Sequence, residues 1–101
     1  MSKKWITSTI LKRVKKFLSY PTDLRYEDVK ILLEDFGYKE TTQQGGSHRV
    51  FVLETRREGV IYDTDEISVP TKKGRYVIRL YLKAIARNLH LEEWYEKHKK
   101  K

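Results

Sequence analysis

A chain of 101 residues holds one domain with a modest core and is too short for two. Its 22 Lys and Arg against 14 Asp and Glu give a formal charge of +8, which favours a polyanionic partner such as nucleic acid. With no cysteine, disulfides and thiolate metal sites are excluded, and His48, His90 and His98 fall at no metal-ligand spacing, so no metal or cofactor is expected. No apolar run approaches about 20 residues, so no segment is expected to span a bilayer. Thr7, Ser8 and Thr9, then Lys12-Arg13, interrupt the apolar region that a cleaved signal needs. The cytoplasm is the expected compartment.

Ile6, Ile10, Val14 and Phe17 recur at helical spacing, with Leu11 and Leu18 beside them, and predict an amphipathic first helix. Its opposite face, with Lys12, Arg13, Lys15 and Lys16, reads as solvated, and Trp5 packs at its beginning. Pro21-Thr22-Asp23 marks a linker. A second helix is predicted over 26–36. Glu27 and Asp28 complement the dipole of its first turn, while Val29, Leu32, Leu33 and Phe36 form its buried face. Gly37 suits a left-handed cap.

A polar strand over 38–43 then pairs, through a turn at Gly45-Gly46, with a strand beginning near Ser47. Aromatic burial assigns Phe51 and Leu53 to the face covered by helices, which leaves His48, Val50 and Val52 on the open face or its rim. A bulge after the glycines would reverse that assignment. Histidine titrates near neutral pH, so His48, delivered by the turn to the sheet margin, is a candidate for proton transfer on a polyanion. The alternative is a histidine that only caps the turn.

Arg56-Arg57-Glu58-Gly59 reads as a turn, and Val60-Ile61-Tyr62 as a continuation of the hairpin. Asp63-Thr64-Asp65-Glu66 lacks the ligand spacing and glycine of a calcium loop. Ile67-Ser68-Val69 is a third strand, stopped by Pro70. After a loop at Lys72-Lys73-Gly74, a third helix is predicted over 76–89, with a core stripe of Val77, Leu80, Tyr81, Ala84, Ile85 and Leu89. Arg75, Arg79, Lys83 and Arg87 recur every four residues as a basic ridge, which either meets phosphates or is merely solvated. A short last helix takes in Leu91, Trp94 and Tyr95. The basic tail from Lys97 is expected to be disordered, with His98 incidental within it. His90 falls at a helix end, where a cation suits the dipole.

The run from Tyr26 to Tyr38, then Gly46-Ser47-His48 with Phe51, then Ile67-Ser68-Val69-Pro70, and finally Leu82-Lys83-Ala84-Ile85, resembles the HicA-type toxins. These are small ribonucleases of toxin–antitoxin pairs. The likeness covers residues 24–90, leaving 1–20 as an extra N-terminal helix and 96–101 as a basic tail within one domain. The resemblance implies an α+β fold like the double-stranded-RNA-binding domain, a three-stranded antiparallel sheet packed on one face by helices. It implies an mRNA-cleaving endoribonuclease with His48 in the catalytic position, Gly46 and Ser47 as its turn, and a HicB-like antitoxin as protein partner. Many members have a histidine soon after the third strand's proline, where this chain has Thr71, Lys72 and Lys73. One histidine must then suffice: neutral His48 as base for the 2′-OH, with Lys72, Lys73 or Arg75 stabilising the developing charge. RNA phosphates would meet those residues together with Arg79, Lys83 and Arg87. The alternative is a non-catalytic RNA-binding module of the same fold.

Overall fold

The computed structural model describes residues 4–41 and 48–99. Four helices and three strands follow in the order α1 (Ser8–Phe17), α2 (Tyr26–Asp35), β1 (Tyr38–Glu40), β2 (His48–Leu53), β3 (Glu66–Pro70), α3 (Arg79–Leu89) and α4 (Leu91–His98). The class is α+β, with a three-stranded antiparallel sheet in the order β1-β2-β3.

The first two helices form where the apolar spacing puts them. Thr7 caps α1 by accepting a hydrogen bond from the amide of Ile10, and Ile10, Leu11, Val14 and Phe17 bury its inner face. Val29, Leu32, Leu33 and Phe36 are buried along and just beyond α2. Gly37 then turns the chain into β1 with φ at +99°, and its carbonyl accepts hydrogen bonds from the amides of Glu54 and Thr55. A Cβ at this position would run into the Thr55 carbonyl, so glycine is required by both the dihedral and the close approach.

The sheet alternates as a one-sided sheet should. Tyr38, Phe51, Ile67 and Val69 are buried against the helices, whereas Lys39, Val52, Glu66 and Ser68 are exposed on the other face. The register sets Phe51 opposite both Glu40 and Ile67, and it ends with His48 opposite Pro70. Phe51 therefore packs inward as the burial argument requires.

Three expectations need correction. Val60, Ile61 and Tyr62 do not continue the hairpin. Gly59 turns the chain at φ +88°, and the Tyr62 hydroxyl donates to the Phe36 carbonyl at 2.5 Å while accepting from the Arg57 amide at 3.0 Å. These bonds fold the segment back over the end of α2.

The third helix begins at Arg79, three residues later than the spacing predicts, because the chain turns at 73–75 and then runs extended from Tyr76 to Ile78. Lys72 and Tyr76 form a bridge, Arg25 and Tyr76 another, and the Val77 amide donates to the Leu24 carbonyl. Its buried stripe is Leu82, Ile85, Ala86 and Leu89, with Leu80 68% exposed and Ala84 also outside. Val77 is buried, but from the extended segment, so it carries no information about the helix's phase.

The last helix reaches His98, which is only 6% exposed and packs on Trp94 with ring centroids 4.9 Å apart. It is a core residue, not an incidental one. Trp94 also meets Trp5 and Phe36, at 5.7 and 5.0 Å, so aromatic contacts join α4, the end of α2 and the residues before α1. One apolar cluster runs from α1 through the sheet to α4.

Candidate nucleic-acid interface

The end of the sheet where β2 begins and β3 ends is built by backbone pairing. His48 closes the ladder opposite Pro70, so the segment that leaves Pro70 starts beside the histidine's backbone. That segment makes a tight loop. Lys73 and Gly74 both take positive φ, at 56° and 68°. The Lys72 amide donates to the Tyr76 carbonyl at 2.6 Å, and the amides of Arg75 and Tyr76 return to the Lys72 carbonyl at 3.1 Å. The loop is fastened to the start of α2, because the Tyr26 amide donates to the Arg75 carbonyl at 2.7 Å. Arg25, Lys72, Lys73 and Arg75 are all exposed, and none makes an ion pair with a described residue. Gly46 and Ser47 lie outside the described residues, as does the side chain of His48.

Arg49, the next residue on β2, is held differently. Its guanidinium lies 5.3 Å from the centre of the Tyr26 ring and pairs with Glu40 at 3.3 Å. Lys30 pairs with the same carboxylate at 3.3 Å. Burial opposes ionisation of Glu40, but the Tyr26 phenol, Lys30 and Arg49 around it together hold its carboxyl below the ordinary range. Burial first, then the neighbouring Glu40, push the Tyr26 phenol well above its ordinary value. In this cluster two cations share one carboxylate.

Arg79 and Lys83 of α3 share one partner. Tyr20 follows α1 in the left-handed region, with φ at 50°. Its carbonyl accepts from Arg79 Nε at 2.9 Å, its ring lies 5.6 Å from Lys83 Nζ, and its hydroxyl donates to Glu92 at 2.8 Å. Burial and the Glu92 carboxylate push its phenol up to about 12. Arg87 lies farther along, where Tyr20, Lys83, His90, Glu92 and Glu93 line a cavity of about 540 Å³ with it. Thus the structure does not put Arg75 on the ridge, and it engages Arg79 and Lys83 in holding α1 to α3.

His90 links α3 to α4 with φ at 51°, and its Nε2 lies 2.9 Å from Asp63. The hydrogen bond to Asp63 comes first among the causes that raise its pKa above the ordinary histidine value, with Glu93 adding to it. Among the described residues, no three His, Asp or Glu side chains converge as a metal-ligand set. No helix among them is long and apolar enough to cross a membrane.

Two of these residues escape sequence reasoning. Arg25 precedes α2 where capping side chains are usually small and polar, so nothing in the pattern singles it out. Tyr20 sits in what reads as a linker, and its threefold role depends on a positive φ that sequence does not announce. Comparison with known proteins finds no family model, no curated protein and no solved structure that matches this chain.

Proposed function

We propose that this chain is an endoribonuclease of the HicA type, with a fold like the double-stranded-RNA-binding domain over α2-β1-β2-β3-α3 and His48 as its catalytic base. The observation that carries the reading is the register of β2 on β3. It sets the backbone of His48 opposite Pro70, from which the loop bearing Lys72, Lys73 and Arg75 departs. A residue able to take a proton and a set of cations thereby share one end of the sheet. The resemblance of the Gly46-Ser47-His48 run and its flanks supplies the rest.

The step is a transesterification within RNA. Neutral His48 removes the proton of a 2′-OH, the 2′ oxygen forms a bond to the adjacent phosphorus, and the bond to the 5′ oxygen breaks. The leaving oxygen takes a proton from water. Lysine and arginine side chains of the 72–75 loop stabilise the charge that grows on the phosphorane oxygens. The products are a 2′,3′-cyclic phosphate and a 5′-OH. RNA phosphates meet the basic residues at this end of the sheet, with Lys72, Lys73 and Arg75 on the loop as candidates. A HicB-like antitoxin covers the same end of the molecule, and an mRNA substrate places the activity in the cytoplasm.

The test is incubation of the purified protein with a long unstructured RNA in the presence of a chelator. The expected result is cleavage with cyclic-phosphate ends, abolished when the substrate carries 2′-O-methyl groups. Tight binding of the RNA without cleavage would replace the enzyme by a non-catalytic RNA-binding module.

A further inference from the structure

Backbone pairing brings together four cations from two separate chain segments. Arg25 and the 72–76 loop are joined by the Arg25–Tyr76 bridge and by the hydrogen bonds from Tyr26 to Arg75 and from Val77 to Leu24. Consecutive positive φ angles at Lys73 and Gly74 fix the loop's tip. The acidic residues close to Arg25 in sequence, Asp23, Glu27 and Asp28, make no ion pair with it, and the four basic heads reach solvent. Of the second basic surface, on α3, two of the three cations are already committed. Arg79 donates to Tyr20, Lys83 lies over the Tyr20 ring, and Arg87 faces a cavity that also contains Glu92 and Glu93.

We propose that the Arg25, Lys72, Lys73 and Arg75 patch is the surface that binds the phosphates of a single RNA strand, and that the α3 ridge is not. This rests on the RNA-directed function argued above, and it assigns that function to one of two basic faces. The reasons are physical. Affinity for a polyanion comes largely from release of the counterions that phosphates hold, and each free cation that meets a phosphate contributes. A cation already bound to a carbonyl or an aromatic ring must first give up that contact. The patch also comes pre-arranged, since backbone bonds fix its two segments before any ligand arrives. Its four charged side chains are all cationic donors, the groups that contact the phosphates of a nucleic acid strand.

The experiment measures binding of a fluorescent single-stranded RNA across a series of salt concentrations, for the parent chain and three double variants. Each variant is first checked by circular dichroism and melting. K72Q with K73Q, and separately R25Q with R75Q, are expected to lower the slope of log affinity against log salt by about 1.4 each, at roughly 0.7 for each single-strand phosphate that is no longer neutralised. K83Q with R87Q is expected to leave the slope unchanged. Two independent patch pairs keep the proposal open to refutation should one of them fold poorly. Parent-like slopes for the folded patch variants, or a lowered slope for the ridge variant alone, would overturn the assignment while leaving RNA binding intact. Failure of the parent chain to bind RNA would instead overturn the functional reading itself. A parallel titration with poly-L-glutamate identifies the other class of partner. Binding of that polymer without binding of RNA would mark the patch as a site for an acidic protein and overturn the proposal.

Discussion

His90 shows how much one side chain can fasten. It occupies the left-handed junction between α3 and α4, while Asp63, whose own amide donates to the Asn88 carbonyl, brings the preceding loop to its ring. Protonated, the imidazole donates to Asp63 and faces Glu93 at 3.6 Å; neutral, it lacks the charge on which both interactions depend. Its pKa is raised in the folded chain, so its contribution to stability is complete below the ordinary histidine pKa and disappears as pH rises through the elevated one. The expected outcome is that His90→Gln lowers the melting temperature at about pH 5.5 and has little effect at about pH 8.5, on either side of the histidine range. An equal drop at both pH values would show that the ring acts by packing alone. Sequence marks His90 as a helix-end residue, but the partner that sets its pKa comes from a loop 27 positions away and is invisible without the fold.

At the scale of elements, periodicity is a sound guide wherever a helix starts where its apolar residues do. For α1 and α2 the buried faces are those that spacing marks out. For α3 the predicted stripe takes its phase from Val77, a buried residue of the extended segment, which moves the stripe onto Leu80 and Ala84. Leu82, Ile85, Ala86 and Leu89 form an equally regular pattern, and that one is buried. The basic composition around His98 conceals a similar signal, for Leu91, Trp94 and His98 fall at three- and four-residue steps along one face of α4.

The consequence can be tested at Trp94, only 3% exposed and in contact with Trp5, Phe36 and His98. Trp94→Ala is expected to cost about 3–5 kcal/mol in urea unfolding, because it removes the ring that ties α4 to the rest of the core. A cost below roughly 1 kcal/mol would mean that α4 is an appendage and the aromatic cluster contributes little.

At the scale of the whole molecule, the chain separates its two basic surfaces by what holds them. Arg79 and Lys83 of α3 are engaged in joining α1, α3 and α4 through Tyr20, whereas the cations at the sheet end make no ion pair with a described residue. The order of strands and the position of His48 at the start of β2 are legible from turn residues and alternation, because both are local. The grouping of Arg25 with the 72–75 loop is not, because it depends on pairing between segments about 50 residues apart. The role proposed for His48 is to supply the base for RNA cleavage at this end of the sheet. It is tested most directly by comparing the parent chain with His48→Ala in a chelator-treated cleavage assay on unstructured RNA, with circular dichroism and melting to check the fold. The expected result is a folded variant whose cleavage rate falls by about 10²–10⁴. A folded His48→Ala protein that cleaves as fast as its parent would contradict it.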